Sequence, residues 1–167
     1  LDLMYALPLQ TLAEAEQDVR TALEFSPQHL SCYHLTLEPN TLFHRYPPSL
    51  PDDDTGSEMQ QRIEALLAEH GYQHYETSAF ARPKKQSRHN LNYWQFGDYL
   101  GIGAGAHSKI SAHDSVIRQA RYKQPQAYLD QVALGAAVQT QGSLTRDDLC
   151  FEFMMNALRL NQGFAAE

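Results

Sequence analysis

The sequence holds 167 residues, 43% of them hydrophobic and 20% charged, with a formal charge of −7. That is enough chain for one globular domain or one and a fraction; it excludes a disordered polymer, and the negative balance argues against a nucleic-acid partner. No apolar run approaches the roughly 20 residues a membrane span needs, and no basic-then-apolar leader is visible, so a cytoplasmic address is expected.

The chain opens without methionine, inside the apolar run "LDLMYALPL", and is expected to be a fragment of a longer protein. Residues 1–7 read as a buried strand closed by Pro8. Thr11 then caps a helix in which Leu12, Ala15, Val19, Ala22 and Leu23 recur at helical spacing. A second strand, rich in β-formers, is expected over 29–39 and a turn-rich loop after it, where Pro47, Pro48 and Pro51 exclude regular structure. A helix follows from about Ser57 to His70, with Met59, Ile63, Leu66 and Leu67 on one face, Ser57 and Gln60 as a capping box and Gly71 as its stop. Residues 72–80 read as a third strand. Strands alternating with helices imply a parallel sheet with both helices on one face, the repeating unit of a (β/α) barrel or a doubly wound fold. Beyond Lys109 a strand over 115–122, a helix over 124–135 and a helix over 144–160 capped by Thr145 suggest a separate, mainly helical domain.

In a parallel α/β sheet a ligand sits at the carboxyl ends of the strands, which here carry Tyr5 and Pro8, Thr36 and Glu38, and Glu76 and Ser78. Each of these residues reads equally as a turn or capping residue. The run "GIGAGAHSK" fits the loose G-x-G-x-x-A dinucleotide pattern at Gly101, Gly103 and Ala106, but a strand-like segment follows it where a helix is required. The simpler reading is that Gly101, Gly103 and Gly105 let a flat ligand or another backbone come close. Just upstream lies "SRHNLNYW". A histidine beside a tryptophan is commonly a structural residue, yet Arg82, Lys84, Lys85 and Arg88 surround it with no acid between Phe80 and Gly97. A basic loop next to a histidine-aromatic patch suits a flat, apolar, anionic partner such as a tetrapyrrole, with imidazole as axial ligand to haem iron; the alternative is a solvated basic loop. His70 and His74 are four apart, but Gly71 breaks the helix between them, and Cys32 and Cys150 match no metal spacing.

Five ordered blocks, "DLMYALPLQT", "HLSCYHLTLEPNT", "HYETSAFARP", "SRHNLNYW" and "DYLGIGAGAHSK", resemble the HemW/HemN-like radical SAM proteins. That family comprises oxygen-independent coproporphyrinogen III oxidases and related haem chaperones. The resemblance implies the second half of a partial (β/α)₆ barrel over 1–110, followed over 111–167 by the start of a mainly helical C-terminal domain. It implies S-adenosylmethionine and a [4Fe–4S] cluster as cofactors of the intact protein. The family's C-x-x-x-C-x-x-C cluster motif is absent from this sequence. The set His89, Asn90, Tyr93 and Trp94 matches the H-N-x-x-Y-W signature of the chaperone branch and implies haem near His89, with Tyr93 and Trp94 against the macrocycle. Asp2 matches a position that contacts S-adenosylmethionine, and Thr36 is a further candidate from its place in the second strand. The expected function is therefore haem chaperoning. A coproporphyrinogen III oxidase is the alternative, and a non-catalytic interaction module a further one. A half barrel also leaves open sheet edges, through which self-association is expected.

Overall fold

In the computed structural model, which describes residues 1–165, the first strand is the short β1 (Asp2–Tyr5). Ala6 takes a positive φ of 55° and ends it before Pro8 is reached. Thr11 caps α1 (Leu12–Glu24) through a reciprocal box: its hydroxyl accepts from the Glu14 N–H at 3.3 Å, and the Glu14 carboxylate accepts from the Thr11 N–H at 2.8 Å. Next, β2 (His29–His34) runs parallel to β1, with Leu3 opposite Cys32 and Tyr5 opposite His34. A single helical turn, α2 (Leu42–Arg45), interrupts the proline-rich loop. The long helix α3 (Asp53–Glu69) begins earlier than expected. Its cap is Asp52, whose carboxylate accepts from the Thr55 N–H at 2.8 Å, and not the Ser57–Gln60 pair. Asp53 and Asp54 in the first turn favour that start through the helix dipole.

The third expected strand is corrected to a hairpin, β3 (Gln73–Glu76) and β4 (Ala79–Ala81), which turns at Thr77 and Ser78. The sheet order is β1-β2-β4-β3. Strands β1, β2 and β3 all point the same way, but β4 lies antiparallel between β2 and β3. An all-parallel sheet is thus replaced by a mixed one, because a two-residue turn can reverse the chain where a helical crossover would need a dozen residues. Helices α1 and α3 pack on one another and share one core with the sheet, built around Val19, Leu30, Met59, Ile63, Leu67 and Phe80. Leu30 and Leu67 are fully buried, each contributing about 2 kcal/mol of hydrophobic stabilisation.

The chain divides into two compact units between Ser87 and Arg88. The second unit contains α4 (Arg88–Trp94), β5 (His107–Ser111), β6 (Val116–Arg121), α5 (Pro125–Ala133), β7 (Val138–Ser143) and α6 (Arg146–Ala157). Thr145 caps α6, as the sequence suggests, and the structure adds a reciprocal box with Asp148. The expected strand over 115–122 is β6, but it is the centre of an antiparallel β5-β6-β7 sheet, so the unit is mixed and not mainly helical. A boundary at 110 would cut β5, which pairs with β6 from His107 to Ser111.

Candidate functional site

The H-N-x-x-Y-W block forms α4, a seven-residue helix with no buried residue. What holds it is therefore side-chain contact at its surface. His89 and Tyr93 are one turn apart on one face, and their rings meet edge to face at 4.8 Å. Tyr93 in turn leans on Tyr99 at 4.6 Å. Tyr99 is fixed twice. Its backbone makes a two-way bridge with Lys109, both hydrogen bonds 3.0 Å. Its phenol oxygen accepts from Arg118 Nη1 at 2.5 Å. The same guanidinium is neutralised by Glu152 of α6, with Nε donating at 3.0 Å. His89 itself is exposed, and its ring nitrogens make no hydrogen bond among the described residues.

Directly opposite Arg118 across the β5–β6 ladder stands Lys109. Two facing cations repel, and each has its own acid. Lys109 is 2% exposed; its ammonium donates to the Phe96 carbonyl at 2.8 Å and to Asp98 Oδ1 at 2.9 Å, and lies 4.1 Å from the centre of the Phe96 ring. Asp98 also accepts from the Ser111 N–H at 2.7 Å and from its hydroxyl. The Ser111 N–H, then the Lys109 ammonium, hold the Asp98 carboxyl down at about 2. Lys109, Arg118, Tyr99 and Glu152 were not singled out in the sequence. The available signal was a cation among β-formers in "HSKIS" and "SVIRQARY", at positions that face each other only once the register is known.

The glycine run is explained from inside the protein. A Cβ on Gly101 would lie 2.2 Å from the His107 carbonyl oxygen, so glycine is required for one backbone to pass another. The N–H groups of Gly101, Gly103 and Gly105 donate to the Ser108 hydroxyl, the Tyr128 hydroxyl and the Tyr122 carbonyl. With those amides engaged and β5 following, this is no phosphate loop. Gly103 has open space where a side chain would stand, whereas Gly105 faces Lys123. The Trp94 ring carries the Arg159 guanidinium 4.3 Å from its centre, and its buried Nε1 has no hydrogen-bond partner among the described residues.

The four cations are divided between the two units. Arg82 stacks 4.8 Å from the Tyr72 ring centre in the first unit, Lys84 and Lys85 are exposed there, and Arg88 opens α4 in the second. Nor do Asp2 and Thr36 meet. Asp2 sits at the amino end of β1 opposite Ser31, beside a cleft of about 330 Å³ with Asp18 and Phe25. Thr36 lies beyond the carboxyl end of β2, its hydroxyl donating to Glu38 at 3.1 Å. Those two positions are about 15 Å apart along the strand direction. The cavity lined by Tyr5, Cys32, Gln60 and Phe80 measures about 10 Å³, room for about one water. Burial pushes the Cys32 thiol up to about 12, so it is inert. Among the described residues no three His, Cys, Asp or Glu are grouped to hold a metal ion, and a [4Fe–4S] cluster has no ligand set among them. His70 caps its own helix through the Leu66 carbonyl, and His74 stacks on Phe80 at 4.3 Å. No helix among the described residues is long and apolar enough to cross a membrane.

No protein-family model matches the chain. It is 48% identical over 161 residues to "Heme chaperone HemW" of Escherichia coli (strain K12), a match covering 96% of this chain and 42% of that protein. Identity is also 48% to the protein of that name from Haemophilus influenzae, covering 96% of this chain and 41% of the relative, and 39% over 120 residues to that of Bacillus subtilis, covering 70% and 32%. The chain therefore spans about two-fifths of the length of the first two relatives. Among solved structures it superposes with TM-score 0.75 and 25% identity on coproporphyrinogen III oxidase (HemN) from Escherichia coli, a radical SAM enzyme, over 96% of this chain and 40% of that one.

Proposed function

Because this chain belongs to the HemW/HemN-like family, we propose that it serves a haem chaperone of the radical SAM class, with His89 as an axial ligand to haem iron. The observation that carries the reading is 48% identity to curated heme chaperones across 161 residues, against 25% to the HemN oxidase. The structure's own chemistry fits haem at α4: an exposed imidazole with both ring nitrogens available. Arg82, Lys84, Lys85 and Arg88 pair or steer the propionates in this reading, and Gly103 leaves space beside the macrocycle. Tyr93 contributes by holding His89, while the Arg159 contact leaves Trp94 one face at most for a ligand. S-adenosylmethionine and a [4Fe–4S] cluster belong to the intact protein, with Asp2 and Thr36 as candidate contacts for the former. The described residues of this chain offer the cluster no ligand set. We assign the first unit to the radical SAM barrel and the start of the C-terminal family domain to the second. The proposed address is cytoplasmic, and the acceptor of haem is an apoprotein.

The test is a haem titration of the intact protein with a coproporphyrinogen-oxidation assay on the same sample. His89→Ala should shift the Soret band and weaken haem binding about tenfold or more. A wild-type spectrum and affinity in His89→Ala, with both lost in His107→Ala, moves the ligand to the exposed His107. Turnover of coproporphyrinogen establishes the oxidase reading, and failure to bind any tetrapyrrole the interaction-module reading.

A further inference from the structure

We propose that Tyr99 and Arg118 are positioning residues for His89, fixing the imidazole through Tyr93 so that it meets the iron in one orientation; this rests on the haem reading of His89. The helix that carries His89 is one short element without buried residues, so its own backbone does not fix the ring. The fixing contacts form a continuous series. His89 meets the edge of Tyr93, Tyr93 leans on Tyr99, and Tyr99 is pinned by Arg118 through its phenol and by Lys109 through its backbone. Arg118 is itself locked by Glu152, and α6 carries Glu152 in mid-helix. A planar guanidinium can serve a phenol and a carboxylate at once, which a lysine cannot do with fixed geometry. A rigid wall behind a ligand's neighbour sets the ligand's orientation, and such outer partners commonly tune metal affinity.

The experiment uses the intact protein and the variants Tyr99→Phe, which removes only the hydroxyl, and Arg118→Met. In the haem-free protein, NMR resonances of the His89 ring report the Tyr93 ring current and should move in both variants. With ferric haem added, electron paramagnetic resonance should show altered or heterogeneous axial ligation, and affinity should fall about tenfold. Unmoved His89 resonances, or moved resonances with unchanged ligation and affinity, overturn the proposal. Should Arg118→Met fail to fold, Tyr99→Phe decides alone. His89→Ala run beside them separates the two ideas. Binding that survives His89→Ala removes the ligand reading and this proposal with it. Binding lost in His89→Ala but untouched in both variants overturns the positioning role alone.

Discussion

A buried ammonium is tolerable only while its partners stay, which makes Lys109 and Asp98 an asymmetric pair. Asp98→Asn leaves a cation that is 2% exposed without its countercharge, and should cost about 2 kcal/mol in urea unfolding. Lys109→Met removes the cation itself and leaves a half-exposed carboxylate that still accepts from Ser111, so it should cost less. Equal costs would show that the pair contributes nothing beyond packing. Acid should reveal the same interaction. Asp98 has its folded value lowered from 3.8 to about 2, so its contribution is complete above the unfolded value and is lost as pH falls through that window. Wild type should therefore lose stability between pH 4 and pH 2 faster than Asp98→Asn, in matched melts at each pH. None of this was legible beforehand, because Lys109 and Asp98 become partners only after Tyr99 has bridged to β5.

Helix starts were legible where the cap also began the apolar pattern. Thr11 and Thr145 both precede the first inward residue and both form boxes with an acid three positions on. Thr145→Ala should cost about 1 kcal/mol by chemical denaturation. The start of α3 escaped because Asp52 lies several residues ahead of Met59, its first large buried residue, inside what reads as loop. Strand β7 escaped for a different reason: "VQTQGS" is almost wholly exposed and shows no alternation of apolar and polar residues. The β3–β4 hairpin escaped because its turn, Thr77–Ser78, contains neither glycine nor asparagine. Glycines distinguish themselves by their surroundings. Gly101→Ala drives a Cβ into the His107 backbone and should cost at least about 2 kcal/mol. Gly142→Ala, with open space around it in β7, should stay within about 0.5 kcal/mol of wild type. Comparable losses in the two would mean that the passage of Gly101 over His107 carries no strain.

At the scale of the whole chain, family and broad class were legible from five spaced blocks, while the arrangement of the candidate site was not. His89 and Tyr93 were grouped through the H-N-x-x-Y-W match, and α4 brings their rings together, but the supporting Arg118 and Glu152 come from elements joined only by tertiary packing. Strands β1 and β3 are the edges of the first sheet, and beside them Leu1 and Met4 are 55% and 45% exposed. We expect this chain to self-associate with rising concentration in sedimentation velocity, and Met4→Lys to suppress it; a monomer at all concentrations would refute the open-edge argument. The inserted strand β4 has a further consequence, one of timing. On the ribosome β1 can find β2 early, but β2 has one side unpaired until Ala79–Ala81 has been made, since Leu30 pairs with Phe80. At roughly 5–20 residues per second that interval lasts seconds, during which the strand that ends up between β1 and β4 stands open to any nascent neighbour or chaperone within reach.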